Sequence, residues 1–190
     1  MLLYTGPTTP FGRMVEVLAI EAGIVLERKV INVYGADFLD PINPLRLIPT
    51  LVLEDGTALY DSRVICRFLG AGTALLAEDW AFETRLALIA GIMDAGVARQ
   101  GERSRPEALR SPAAIAIYER RIRNGIAVLE ADAEALCRPE PRLDRIAAAV
   151  LLEYTDFRFA RTWRETAPRL AAWLEVEALK PSMRATRFGD

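Results

Sequence analysis

Apolar positions along the chain recur with one spacing up to about residue 73 and with another after it. In the first part, short apolar runs are separated by turn residues. Leu2-Leu3-Tyr4 has the length of a strand, Thr5-Gly6-Pro7-Thr8 reads as a turn, and Thr9-Pro10 opens a helix with Thr9 as N-cap and Pro10 in the first helical position. Phe11, Val15, Leu18, Ala19 and Ala22 fall on one face of that helix, and Gly23 is a suitable stop. Leu26 to Val33 is rich enough in Val and Ile to be a strand. Thr50 to Leu53 and Ala58 to Tyr60 pair across Glu54-Asp55-Gly56 as a hairpin. Asp61-Ser62 then starts a helix whose expected apolar face is Val64, Ile65, Phe68 and Leu69. The resulting order is strand, helix, strand, loop, strand, strand, helix, an α/β domain over residues 1–72.

From Thr73 onward the period is helical. Alanine-, leucine- and arginine-rich stretches span residues 78–100, 112–136, 143–160 and 168–179, with breaks at Gly101 to Pro106, Arg138 to Pro141, Glu165 to Pro168 and Lys180-Pro181. Ile146 to Leu152 is apolar around its whole circumference, as a helix inside a bundle must be. Residues 78–190 are therefore expected to form a second, all-α domain.

Composition narrows the function more than it identifies it. With 190 residues and 52% hydrophobic content the chain can bury two small cores. A net charge of −2 gives no reason to expect nucleic acid, and the arginines from Arg99 to Arg123, spaced helically among glutamates, read as the solvated face of a helical hairpin. The apolar runs fall far short of the roughly 18 residues of a membrane span, and no signal peptide is visible, so a cytoplasmic protein is expected. Cys66 and Cys137 lie in different domains, which disfavours a disulfide or a cysteine metal site. The chain has no histidine, which removes the usual zinc sites and histidine-based triads; no metal is expected.

The chemistry concentrates at three places in the first domain. A cis Ile48-Pro49 bond would turn the chain just before its strand and present the main-chain N–H and C=O of Ile48 as an outward pair, fit to bind another extended backbone. Asp61 and Ser62, at a helix start, offer N–H groups and a hydroxyl to a carboxylate. Thr9-Pro10-Phe11 places hydroxyls of Thr9 and Thr8 at the positive end of the first helix, a place that suits an anionic group of a ligand. Gly12 stands where the second cysteine of a redox pair would be, so dithiol exchange has no nucleophile.

The stretch Asn43-Pro44-Leu45-Arg46-Leu47-Ile48-Pro49-Thr50-Leu51, with its hairpin and the Asp61-Ser62 pair, resembles the glutathione-binding half of bacterial cytosolic glutathione S-transferases. Leu143 to Ala148, Tyr154 to Phe159, Trp163-Arg164, Pro168 to Trp173 and Lys180 to Met183 resemble the carboxyl-terminal half, so the likeness covers nearly the whole chain. It implies a thioredoxin-like domain followed by a helical bundle, a homodimer, and glutathione as co-substrate. The backbone of Ile48, shaped by Pro49, would hold the cysteinyl part, and Asp61 and Ser62 the γ-glutamyl end. Thr9, or else Thr8, would activate the thiol; Tyr4 is a further candidate, because some classes use a first-strand tyrosine. Bacterial members often carry Gly-Lys where this chain has Arg46-Leu47, leaving Arg46 as the substitute partner for the glycine carboxylate. Phe11, Met93 and Val97 would line the pocket of a small, apolar electrophile, or else be plain core. A capping box usual in the family is replaced by Arg142 and Arg145, with Asp144 left to compensate. The alternative function is a non-catalytic binding or assembly module of the same fold.

Overall fold

The structure, a computed structural model, describes residues 1–189. In chain order the elements are β1 (Leu2–Thr5), α1 (Pro10–Glu21), β2 (Glu27–Val30), β3 (Thr50–Val52), β4 (Ala58–Leu59), α2 (Ser62–Gly70), α3 (Trp80–Ser104), α4 (Pro112–Ala131), α5 (Ala133–Leu136), α6 (Leu143–Arg158), α7 (Trp163–Thr166), α8 (Pro168–Glu177) and α9 (Pro181–Ala185). They fall into two compact units, one of residues 1–77, 141–146 and 180–189, the other of 78–140 and 147–179.

In the first unit the sheet order is β2-β1-β3-β4, with β2 parallel to β1 and the other pairs antiparallel. Strand alternation sends Leu3 and Leu51 into the core with Val15, Leu18 and Ile65, all without exposed surface. Leu2, Tyr4 and Val52 point the other way, packing with Ala36, Leu39 and Ile42. Helix α2 is turned from its expected orientation. Its buried stripe is Ser62, Ile65, Cys66 and Leu69, whereas Val64 and Phe68 stay about half exposed. Burial drives the Cys66 thiol pKa well above its ordinary value. Strand β2 is only four residues long, because the chain after it coils into short 3-10 turns at Val33–Gly35 and Asp37–Leu39. Helix α9, at a place read from sequence as a break, is started by Pro181 in its first turn. It is fastened to α1: buried Arg13 donates through Nη2 to the Met183 carbonyl (3.1 Å) and through Nε to Thr186 Oγ1 (3.3 Å), its guanidinium lies 4.4 Å from the Phe188 ring centre, and Ser182 Oγ donates to Glu21.

Where α1 crosses β1 the backbones approach so closely that a Cβ on Gly12 would stand 2.1 Å from Thr5 Oγ1 and 2.6 Å from Thr9 Cγ2. Only glycine fits without displacing a neighbour.

The second unit is built around α6, whose residues Ala147 to Leu152 are all buried. Helices α3 and α4 pack along each other. A Cβ on Gly125 would lie 2.4 Å from Ile92 Cγ1. Helix α3 runs through the expected break at Gly101, since an exposed helical glycine costs only about 1 kcal/mol, and stops at Arg105, which Pro106 excludes from helical conformation. The helix expected over 112–136 is instead interrupted at Asp132, whose carboxylate takes the buried Arg85 guanidinium (2.6 Å). The start of α6, part of the first unit, has no capping box; buried Asp144 receives Arg142 Nε (2.8 Å) and Nη2 (2.7 Å) and the Arg145 N–H (3.0 Å) in its place.

At the end of α4, Glu130 reaches across to cap α8, accepting from the N–H groups of Arg169 (3.1 Å) and Leu170 (3.0 Å). Burial acts to raise the Glu130 pKa, but these bonds and the Arg169 charge outweigh it and hold the carboxyl below its usual range.

Two stability measurements test these contacts. Gly12→Ala is expected to lower stability by about 1–3 kcal/mol in denaturant unfolding, since Thr5 and Thr9 must both shift; unchanged stability would mean that α1 has room to move. Glu130→Ala should cost about 1–2 kcal/mol at pH 7. Because the folded pKa is lowered, the wild type's advantage is complete above the unfolded glutamate pKa of about 4.3 and disappears as pH falls through the folded value. Melting curves of both proteins between neutral and strongly acid pH should therefore converge.

Candidate functional site

The loop before β3 is organised by one buried side chain. Asn43 Nδ2 donates to the Leu47 carbonyl (3.1 Å) and to Thr50 Oγ1 (2.9 Å), Asn43 Oδ1 accepts from the Leu45 N–H (3.1 Å), and Thr50 Oγ1 donates back to the Leu47 carbonyl (2.8 Å). This is a role that the sequence reading did not give Asn43; the Asn-Pro pair, a turn signal, was the available hint. Arg46 occupies the left-handed region at φ 50°, and its guanidinium is taken up by Asp40 (2.6 Å) and Asp37 (2.8 Å). The Ile48-Pro49 bond is cis, as the turn before β3 requires, and Tyr60-Asp61 is cis as well. Pro49 is buried and Ile48 half-buried. Neither the N–H nor the C=O of Ile48 has a hydrogen-bond partner among the described residues.

Sheet register brings the other groups to this pair. Strand β1 pairs with β3 as Tyr4↔Thr50, and β3 with β4 as Leu51↔Leu59. Because both pairings are antiparallel, the end of β1, the start of β3 and the end of β4 lie at the same end of the sheet, so that Gly6, Ile48 and the Asp61-Ser62 pair belong to the segments that leave it there. The Gly6 contact is direct: a Cβ there would lie 2.9 Å from Ile48 Cδ1 and 3.8 Å from Thr9 Cγ2. Ile48, Thr9 and the Asp61-Ser62 pair thus share one end of the sheet.

Ser62 is 4% exposed, and its hydroxyl has no partner among the described residues. An unpartnered hydroxyl at a helix start, on a residue that is otherwise buried, can donate to an incoming anion. Asp61 caps the helix, accepting from the Arg63 N–H (3.0 Å), and is paired with Arg63 Nη2 (3.0 Å). Burial would raise its pKa, but the hydrogen bonds from Arg63 prevail and keep the carboxyl below its usual range, ionised at neutral pH.

Thr9 caps α1 as expected, accepting from the Gly12 N–H at a long 3.5 Å. That bond uses the oxygen as acceptor and leaves the hydroxyl proton available. Thr8 and Phe11 are half-buried. Tyr4, 7% exposed, is a packing residue against Phe38, with ring centres 5.5 Å apart. On α3, Met93 has no exposed surface, whereas Val97 is 42% exposed. Among the described residues, no group of three or more His, Cys, Asp or Glu side chains is placed to hold a metal ion.

Comparison with known proteins adds to this geometry. The glutathione S-transferase amino-terminal domain family matches residues 8–71, the span that holds most of the site. The uncharacterised GST-like protein YibF of Escherichia coli K12 is 32% identical, with 92% of each chain aligned. A glutathione transferase family member from Pseudomonas fluorescens Pf-5, solved with bound glutathione, is 35% identical and superposes with a TM-score of 0.91 over 100% of this chain and 99% of that one. A glutathione S-transferase from Methylobacillus flagellatus, also solved with glutathione, is 29% identical with a TM-score of 0.89, covering 97% of this chain and 98% of that one. With a relative above 30% identity aligned over almost its full length, and the thioredoxin-like sheet and helical bundle both present, this chain belongs to the glutathione S-transferase family.

Proposed function

We propose that the protein binds glutathione at this end of the sheet and activates its thiol for attack on a small, apolar electrophile. The observation that carries this reading is the unpaired backbone of Ile48, a donor and an acceptor at the start of β3, at the same end of the sheet as the Asp61-Ser62 helix start. The cysteinyl part of the tripeptide pairs with Ile48, with Pro49 shaping the turn, and the γ-glutamyl end lies at Ser62 and Asp61. Glutathione in the Pseudomonas and Methylobacillus relatives supports that ligand. Arg46 reaches the glycine carboxylate only by leaving Asp37 and Asp40. The Thr9 hydroxyl, or failing that Thr8, donates to the sulfur, and the positive end of α1 adds to the stabilisation of the thiolate. The thiol proton goes to solvent, the sulfur forms a bond to the electrophilic carbon, and the electrophile's leaving group departs. Phe11, in the first turn of α1, offers that electrophile an apolar contact. The protein acts in the cytoplasm as a homodimer in this reading.

Titration calorimetry with glutathione tests the binding site. Ser62→Ala should weaken affinity by about 1–3 kcal/mol, and Asp61→Asn, which keeps the helix cap, by a similar amount. Full affinity in both variants would remove the assignment.

Thiolate absorbance of the complex as a function of pH tests the chemistry. In the wild type the bound thiol should ionise about one unit or more below the roughly 8.5 of a free thiol. Thr9→Ala or Thr8→Ala should abolish that shift together with the rate toward an activated aryl chloride. A second reading, a binding module without catalysis, is favoured by the cap already made by Thr9. Tight glutathione binding with an unshifted, unreactive thiol in all three proteins would establish it.

A further inference from the structure

The Arg46 guanidinium has all three of its nitrogens on the protein's own carboxylates. Nε and Nη2 clamp the two oxygens of Asp40 (2.6 and 2.5 Å), and Nη1 donates to Asp37 (2.8 Å). A planar fork on a carboxylate holds an arginine firmly, because two parallel charged hydrogen bonds form at once. The same bonds draw the Asp40 carboxyl below its usual range and keep it ionised at neutral pH. The backbone is fixed along with the side chain: Arg46 sits at φ 50°, a conformation that residues with a Cβ avoid, and the clasp opposes its relaxation.

Both aspartates belong to a segment that lies beside Ile48. Ala36 and Leu39, each one residue before one of them, form with Tyr4 the cluster against which Ile48 packs. In the reading above, the glycine carboxylate of the ligand falls to Arg46. There it would meet a group with one net negative charge, two aspartates against one arginine. To be bound it must displace a carboxylate already held by charged hydrogen bonds, so that one such set is gained and another lost. The Leu47 side chain, 58% exposed, offers an anion no hydrogen bond. Lys29 stands over the Tyr4 and Phe38 rings, 5.6 and 5.5 Å from their centres, and is drawn to those ring faces.

We propose that Asp37 and Asp40 are specificity-determining residues that withhold Arg46 from the ligand, so that the site recognises the γ-glutamyl and cysteinyl parts alone. It then accepts γ-glutamyl thiols whose carboxyl end is neutral as readily as glutathione itself. This rests on the glutathione reading and extends it to the far end of the ligand.

Titration calorimetry with glutathione and with its glycine carboxamide, a neutral analogue of the same shape, tests the proposal on the whole protein. The wild type should bind the two with dissociation constants within about threefold of each other. Asp37→Asn combined with Asp40→Asn releases the guanidinium, and glutathione should then bind about tenfold tighter than the amide, as expected for one charged hydrogen-bond pair. Adding Arg46→Gln to that variant should bring the two constants together again, because Arg46 is the cation released. The proposal is overturned by a preference of about tenfold or more for glutathione in the wild type, by a ratio that the two aspartate substitutions leave unmoved, or by a preference that persists after Arg46→Gln. Glutathione binding that Ser62→Ala weakens, with the amide about tenfold poorer in the wild type, overturns this proposal alone. Absence of binding of either ligand by the wild type removes the glutathione reading and this proposal with it.

Discussion

The candidate glutathione site depends on the register of three antiparallel-paired strands, β1, β3 and β4. Once Tyr4 faces Thr50 and Leu51 faces Leu59, the segments that hold Gly6, Ile48 and Ser62 leave the sheet at the same end. A slip of one residue would turn Leu3 and Leu51 outward and Tyr4 inward, so the hydrophobic core itself enforces that alignment. Ile48 is left with an unpaired backbone because the ladder starts only at Thr50, two residues further on. Asn43 fixes the preceding loop through the bonds of its side-chain amide to Leu47, Leu45 and Thr50.

The sequence was most readable where a local rule acts alone. Thr9 before Pro10 reads as a cap and is one. The uniformly apolar run from Ile146 to Leu152 reads as buried, and it is buried throughout. The cis Ile48-Pro49 bond and the helix start at Asp61-Ser62 were legible because a turn, a hairpin and a helix start follow one another within twenty residues. Their convergence, however, depends on pairings between distant strands, which periodicity does not reveal.

What escaped the sequence reading involves partners far along the chain. Asp132 looked like one more helical residue until Arg85, a buried cation from α3, took its carboxylate and the helix broke there. Asp144 was seen as a first-turn acid, whereas it also receives the Arg142 guanidinium on a carboxylate that itself has no exposed surface. Arg46 was named for a ligand's carboxylate and is found on two of the protein's own. Val64 and Phe68 are apolar and helically spaced, yet the packed stripe of α2 is the neighbouring one, because Ile65, Cys66 and Leu69 fill the space against the sheet. In each case composition shows a charge or an apolar face but not which of several partners claims it.

The bonds from Arg13 to the segment around Met183 carry a consequence for biosynthesis. The first unit is not contiguous: it takes in residues 141–146 and the stretch from Lys180 onward. A nascent chain that has emerged only to residue 77 therefore contains all four strands but lacks the carbonyl, hydroxyl and ring that satisfy a buried guanidinium. The amino-terminal half must wait for residues 183–188 to emerge before its own interior is complete, so the order of synthesis and the order of final consolidation are opposed. A fragment cut at the apparent domain boundary would leave Arg13 buried without its acceptors or exposed with its surroundings opened.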